Sequence, residues 1–265
     1  MSVREDIAHP ELSLTLLGQS GCRFGFPSCT VYVDPYLSNS VQKLDMPDLE
    51  RLLPVPVLPG NVADADWVLL THEHIDHCDP HTLPSIANAS PGALFMGPAP
   101  VLGLLQEWGI AVERLHLAAE AWTSISTTVR VHAVPAAHPT HERDQQGRSR
   151  CVGYVIEYED RRIYVAGDTS VTQELLDFLK RLRPISCAFL PVNEQNFFRA
   201  RRGIIGNMSV REAFQLAEEL GVKAVVPVHW DMFAANSVAI DEIHAVYGQM
   251  KPGFQLLVRP DRMRL

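Results

Sequence analysis

Apolar residues recur along this chain in short compact runs, each closed by a polar residue or a turn, and such runs read as strands. They fall at 12–17, 30–34, 67–70, 93–96, 129–134, 152–158, 162–166, 187–191, 224–228 and 254–258. Tyr158-Glu159-Asp160-Arg161 predicts a hairpin turn between two of them. Where the apolar period lengthens, helices are expected: after Pro98, over 171–182, over 210–220 and over 240–250. In the third, Val210, Phe214, Ala217 and Leu220 form a core-facing stripe, and Ser209 with Glu212 is a capping-box signature at its start. Strand-rich halves separated by helices establish a mixed α/β chain, and a four-layer αββα sandwich accommodates them. No short tandem repeat and no linker interrupts the pattern, so 1–265 reads as one domain.

The run at 67–70 leads into the densest chemistry of the sequence. Thr71-His72-Glu73-His74-Ile75-Asp76-His77 packs three imidazoles and an aspartate into six residues just after a strand end. In open α/β architectures, ligands bind at the carboxyl edge of the strands. On a locally extended backbone His72 and His74 point the same way. Asp76 and His77 follow as the chain turns towards a helix suggested by Asp79-Pro80-His81-Thr82-Leu83. Imidazole and carboxylate together suit zinc, manganese or iron. The zincin pattern is excluded, because Asp76 and not a histidine stands four residues after His72. Glu73, between the ligand candidates, is expected to face solvent or a neighbouring loop.

This motif, HxHxDH, resembles that of the metallo-β-lactamase superfamily, which implies later ligands at strand ends. His138, Asp168 and His229 stand there in the family's order, closing the runs that precede them. By that resemblance His72, His74 and His138 hold one divalent ion, Asp76, His77 and His229 hold a second, and Asp168 bridges them. His141 lies three residues after His138 and competes with it for the third histidine position. Asp34, at the end of its own strand, either braces a ligand imidazole from behind or simply forms an Asp-Pro turn. His81, His116 and His132 have no counterpart in the family and are expected to be ordinary surface or core histidines.

A narrower resemblance runs through nearly the whole chain. Leu16-Leu17-Gly18-Gln19-Ser20-Gly21, Val33-Asp34-Pro35-Tyr36, the histidine motif, Ala166-Gly167-Asp168-Thr169-Ser170, Arg202-Gly203-Ile204 with Asn207-Met208-Ser209, and Val226-Pro227-Val228-His229-Trp230-Asp231 are similar to the L-ascorbate-6-phosphate lactonase branch. That branch implies substrate contacts at Glu194, Asn196, Arg202 and Asn207, manganese or zinc as cofactor, and leaves a homo-oligomer open. The segment Asn193-Glu194-Gln195-Asn196-Phe197-Phe198 matches the branch only loosely, and the amino-terminal third is shorter, which puts the substrate in question before the chemistry. A phosphorylated substrate would call for paired donors, and Arg199, Arg201 and Arg202 are the concentrated basic group.

Composition narrows the setting. The 265 residues, 46% of them hydrophobic, supply a sizeable core. A net charge of −8 argues against a broad nucleic-acid surface and favours a small-molecule substrate. No apolar run is long enough to span a bilayer, and the stretch 1–7 lacks the apolar segment of a signal peptide. The five cysteines, Cys22, Cys29, Cys78, Cys151 and Cys187, are odd in number and show no pairing pattern, which suits the reducing cytoplasm. Cys78, next to the motif, reads as a small buried residue.

The expected chemistry is hydrolysis. Water bound to divalent ions has its pKa lowered to about 7, so hydroxide is available to attack a lactone or ester carbonyl. Asp168 would bridge the ions and Asp76 would orient the nucleophile. The leading expectation is a lactonase acting on a sugar-derived lactone such as L-ascorbate 6-phosphate. A phosphodiesterase on the same scaffold and a non-catalytic metal-binding regulator are the alternatives.

Overall fold

The computed structural model describes residues 12–259, so the stretch at 1–7 lies outside them. A six-stranded sheet is formed in chain order by β1 (Ser13–Gly18), β2 (Gly21–Phe26), β3 (Cys29–Val33), β4 (Trp67–Leu69), β5 (Leu94–Gly97) and β6 (Leu115–Leu117). Its first three strands are antiparallel, and β3 to β6 are parallel. The second sheet has seven strands: β7 (Trp122–Ser124), β8 (Val129–Pro135), β9 (Val152–Tyr158), β10 (Arg161–Val165), β11 (Cys187–Pro191), β12 (Ala224–Val228) and β13 (Gln255–Leu256). Here β7 to β10 are antiparallel and β10 to β13 are parallel.

The continuous apolar runs follow from burial on both faces of the parallel strands. In β10, Ile163 and Val165 enter the core between the sheets, while Tyr164 faces the helices outside. In β4, Trp67 and Leu69 point into the same central core, and Val68 faces outward. Over the outer face of the first sheet lie α1 (Leu83–Ala89) and α2 (Ala99–Glu107), with Leu83, Ile86, Val101 and Leu105 packed on Val68 and Phe95. Over the second lie α3 (Gln173–Arg181), α5 (Val210–Leu220) and α6 (Ile240–Met250), burying Leu175, Leu179, Phe214 and Ile243. The layers are therefore α, β, β and α, as expected. A single turn, α4 (Phe197–Ala200), lies between β11 and α5.

Several local expectations hold in detail. The Ser209 and Glu212 capping box is complete, and Gly221 ends α5 at φ +67°. The hairpin pairs Tyr158 with Arg161. Three strands escaped the periodicity. Gly21-Cys22-Arg23-Phe24-Gly25-Phe26 carries two glycines and an arginine, which reads as loop, yet β2 is held on both sides by β1 and β3. β6 and β7 have three residues each, too few for a period to register. Conversely, the run expected at 254–258 pairs only over Gln255–Leu256.

Candidate metal centre

The histidine motif occupies the carboxyl end of β4, and a tight turn folds it. His74 O accepts from His77 N at 2.9 Å and Cys78 N at 2.7 Å, so four candidate ligand side chains turn towards one volume. Asp34 braces the turn from behind. Its carboxylate accepts from Thr71 N at 2.9 Å, from Thr71 Oγ1 at 2.6 Å and from His77 Nδ1 at 2.7 Å. This leaves His77 Nε2 facing Asp168 Oδ1 at 3.3 Å. Asp34 does so at φ +43°, a left-handed conformation unusual for a non-glycine residue.

The second sheet delivers single residues. His138 Nε2 lies 3.1 Å from His74 Nδ1 and 3.6 Å from Asp168 Oδ2. Its competitor His141 is turned away, with Nε2 2.8 Å from Thr172 Oγ1. Asp168 follows Gly167, whose φ of +61° and tight approach to the motif leave no room for a side chain: a Cβ there would stand 2.7 Å from Thr71. His229, at φ +60°, directs Nε2 to within 3.2 Å of both Asp76 Oδ2 and Asp168 Oδ2.

Three groups of donor atoms result, His72 with His74 and His138, His72 with His77 and Asp168, and Asp76 with His77 and His229, each group lying within 4.8 Å. Asp168 contacts His77, His138 and His229, so it stands between the sets. His72 Nε2, His77 Nε2 and Asp168 Oδ1 are buried without a hydrogen-bond partner. Orphaned polar atoms of this kind are costly in a folded interior. Their convergence fits a divalent cation better than any protein group could, and the nitrogen and oxygen donors suit zinc, manganese or iron.

The electrostatics agree. Burial and the neighbouring imidazoles push His72 well below the ordinary histidine range, and burial holds His138 down to about 4, so both are in the neutral form that ligates metal. At His77 and His229 burial is outweighed by the carboxylates of Asp168 and Asp76, which raise both, His229 to about 9. Asp76 and Asp168 are lowered despite their burial, held ionised by those imidazoles. The cluster thus asks for positive charge between its carboxylates.

Gln19 joins the centre without having been singled out from the sequence. Its Nε2 donates to Asp76 Oδ2 at 2.6 Å and lies 2.9 Å from His229 Nε2, while its backbone O accepts from His229 N at 3.0 Å. The available signal was a polar side chain set between Gly18 and Gly21 at a strand turn. Cys78 is buried behind the motif, its thiol pushed up by burial. Glu73 pairs with Arg150 at 2.8 Å.

The cluster opens into a cavity of about 400 Å³ that His74, Asp76, His138, Asp168 and His229 help to line. Glu194, Asn196, Arg202 and Asn207 are not among its lining residues. Glu194 and Asn207 form a β-bridge, Asn207 also bonds Asn193 Oδ1 at 2.9 Å, and Asn196 caps α4 through the amides of Phe198 and Arg199. The Arg202 guanidinium is half exposed, 3.7 Å from Asp48. Arg199 is turned inward, donating to the carbonyls of Glu194 and Ser237 at 2.5 and 2.7 Å.

Residues 30–230 match the family model described as the beta-lactamase superfamily domain. A UPF0173 metal-dependent hydrolase of Pyrococcus horikoshii is 27% identical over 85% of this chain and 91% of its own length. A probable L-ascorbate-6-phosphate lactonase of Salmonella heidelberg is 24% identical over 83% of this chain and 64% of its own. Against an uncharacterised Mycobacterium tuberculosis relative, 24% identical over 84% of this chain, the match spans 59% of the relative's length. Among solved structures, a possible metal-dependent hydrolase from Veillonella parvula superposes with a TM-score of 0.75 over 97% of this chain and all of its own, at 15% identity. Among the described residues no helix is long and apolar enough to cross a membrane, and all five cysteines are free.

Proposed function

The chain belongs to the beta-lactamase superfamily, and from that premise we propose that it is a metal-dependent hydrolase cleaving the carbonyl–oxygen bond of an ester or lactone. The observation that carries this reading is the convergence of His72 Nε2, His77 Nε2 and Asp168 Oδ1, buried and without a hydrogen-bond partner, beside an open cavity. His72, His74 and His138 would hold one divalent ion and Asp76, His77 and His229 a second, with Asp168 shared between them. Divalent ions at such a site supply Lewis acidity, making water nucleophilic at neutral pH and polarising a carbonyl oxygen.

The chain's own residues do the positioning. Asp34 holds His77 Nδ1 and so fixes which nitrogen of that ring faces the centre. Asp76, at the cavity wall and steadied by the Gln19 amide, orients the attacking water through its carboxylate. Burial of Asp168 and His229 excludes bulk water from the floor. The lactone reading takes support from the Salmonella relative's name and the motifs shared along the chain. Manganese or zinc is the proposed pair of alternatives for the metal, and free cysteines support a reducing, cytoplasmic setting.

The test is acid release from an unphosphorylated lactone and from L-ascorbate 6-phosphate by protein loaded separately with manganese and zinc, with bound metal measured alongside. Metal-dependent turnover is expected. Asp76→Asn should lower the rate at least tenfold more than it lowers metal content. Stoichiometric metal with no turnover of any ester, lactone or phosphodiester would leave a metal-binding regulator in its place.

A further inference from the structure

The cavity beside the metal ligands has a second character. Val41, Met46, Leu49, Ile204, Ile205 and Phe233 line it together with the cluster. Val41, Leu49, Ile204 and Phe233 also belong to one small hydrophobic cluster, against which Met46 and Ile75 pack. The π-helical turn Val41–Asp45 lines it, and so does Gly203 to Ile205 on the exit from α4, which joins the same cluster through Ile204. Asn236 is the one neutral amide among the lining residues, and its Oδ1 already accepts from Asn193 Nδ2 at 3.1 Å.

Charge on the lining is of one sign apart from the histidines. Asp45, Glu73, Asp76 and Asp168 contribute to it, and no lysine or arginine does. Among the cations close by, Arg150 pairs with Glu73 and Glu142, Arg199 with two carbonyls and Arg51 with the carbonyls of Tyr36, Ser38 and Leu53, while Lys43 on the wall turn and Arg202, 3.7 Å from Asp48, are exposed and stand outside the lining. A phosphate carried inside the cavity at a distance from the scissile bond would therefore lie against apolar walls and carboxylates, with no cation among the lining residues to meet it. Burying an unpaired charge in such a place is strongly unfavourable. An aliphatic chain there would gain the transfer free energy of every methylene it buries.

We propose that the substrate is an uncharged ester or lactone bearing an aliphatic chain, with the reacting carbonyl at the metal centre and the chain against Val41, Leu49, Ile204, Ile205 and Phe233. This deepens the hydrolase reading and rests on it. The reaction balances without a further reactant: water's oxygen bonds to the acyl carbon, the acyl–alkoxy bond breaks, the alkoxy oxygen leaves with a proton, and the acyl group departs as a carboxylate with release of one proton.

The experiment compares kcat/KM for acetyl, butyryl and octanoyl esters of one alcohol, for a short and an alkyl-substituted γ-lactone, and for a phosphorylated sugar lactone. Each buried methylene should raise kcat/KM by up to about fourfold, so octanoyl should exceed acetyl by about tenfold or more. Ile205→Arg serves as the probe of the wall, because Ile205 is 37% exposed and an arginine there can keep its charge in contact with water. With its melting temperature kept, this variant should lose the chain-length preference and gain relative activity on the phosphorylated lactone. Preference for the phosphorylated compound in the unaltered protein, or equal rates across chain lengths, overturns the proposal. Calorimetric binding of octanoate and acetate to the metal-loaded protein separates this from the hydrolase reading. If neither ester nor lactone is cleaved, the hydrolase reading fails. Octanoate binding about tenfold tighter than acetate then still supports the apolar wall, and equal binding overturns it.

Discussion

In the half built on the six-stranded sheet, one loop after β4 carries His72, His74, Asp76 and His77, whereas the seven-stranded half contributes one side chain from each of three strand ends, His138, Asp168 and His229. The first set depends on a local turn braced by Asp34. The second depends on strand order and register, since β8, β10 and β12 run in the same direction and end at the same edge. The halves meet where Gly167 presses on Thr71. A compact loop thus supplies the density of candidate ligands, and the sheet edge supplies the residues that tie the donor groups together.

Substitutions test that contrast. The largest effect is expected at Asp168, which contacts imidazoles of both sets. Asp168→Ala should lower activity by about 10³-fold or more and remove metal from both positions, as read by rate and elemental analysis. His74→Ala, confined to one set, should leave a larger share of the metal, and equal losses for the two variants would erase the distinction. Next comes the seam. Gly167→Ala must place a Cβ against Thr71 at positive φ, and we expect a loss of about 2–5 kcal/mol in denaturant unfolding. Asp34→Asn should weaken metal affinity by about 10- to 100-fold with little change in fold, measured by competition with a chelator.

A smaller effect concerns pH in the metal-free protein. His138 sits at about 4, below the ordinary histidine value, because it is buried. The unfolded chain therefore binds that proton first, and stability falls as pH drops from about 6.5 towards 4. His229, raised to about 9 by Asp168 and Asp76 against the effect of burial, acts in the other window. Its contribution is complete below about 6.5 and is lost as pH rises towards 9. Chelated protein should accordingly be most stable near neutrality, and thermal melts of His138→Gln should show a flatter acid limb. The smallest effect is expected at Arg202→Ala, within about 0.5 kcal/mol of unchanged stability, because its ion pair with Asp48 is exposed and long.

Much of the scaffold was legible because burial on both faces writes itself as continuous apolar runs, as in Ile163 to Val165 and Ala224 to Val228. β2 was not, since its glycines and Arg23 conceal a strand that two neighbours hold in place. Arg199 illustrates a different limit. As sequence it belongs to a basic cluster available to an anion, but its guanidinium is spent on the carbonyls of Glu194 and Ser237.

By itself the sequence determined the mixed α/β content and the dense set of candidate ligands in the loop after β4, because periodicity and residue spacing are local properties of the chain. Which distant groups meet that loop was decided only by tertiary structure. His138 reaches His74 across 64 residues while His141 turns to Thr172, and Gln19 reaches His229 across 210. Sheet register and left-handed turns at Asp34, Gly167 and His229 aim these side chains, and the same packing leaves an apolar wall in a cavity with no lysine or arginine among its lining residues. Direction and distance between such groups arise from the assembled sheets, which no stretch of sequence specifies alone.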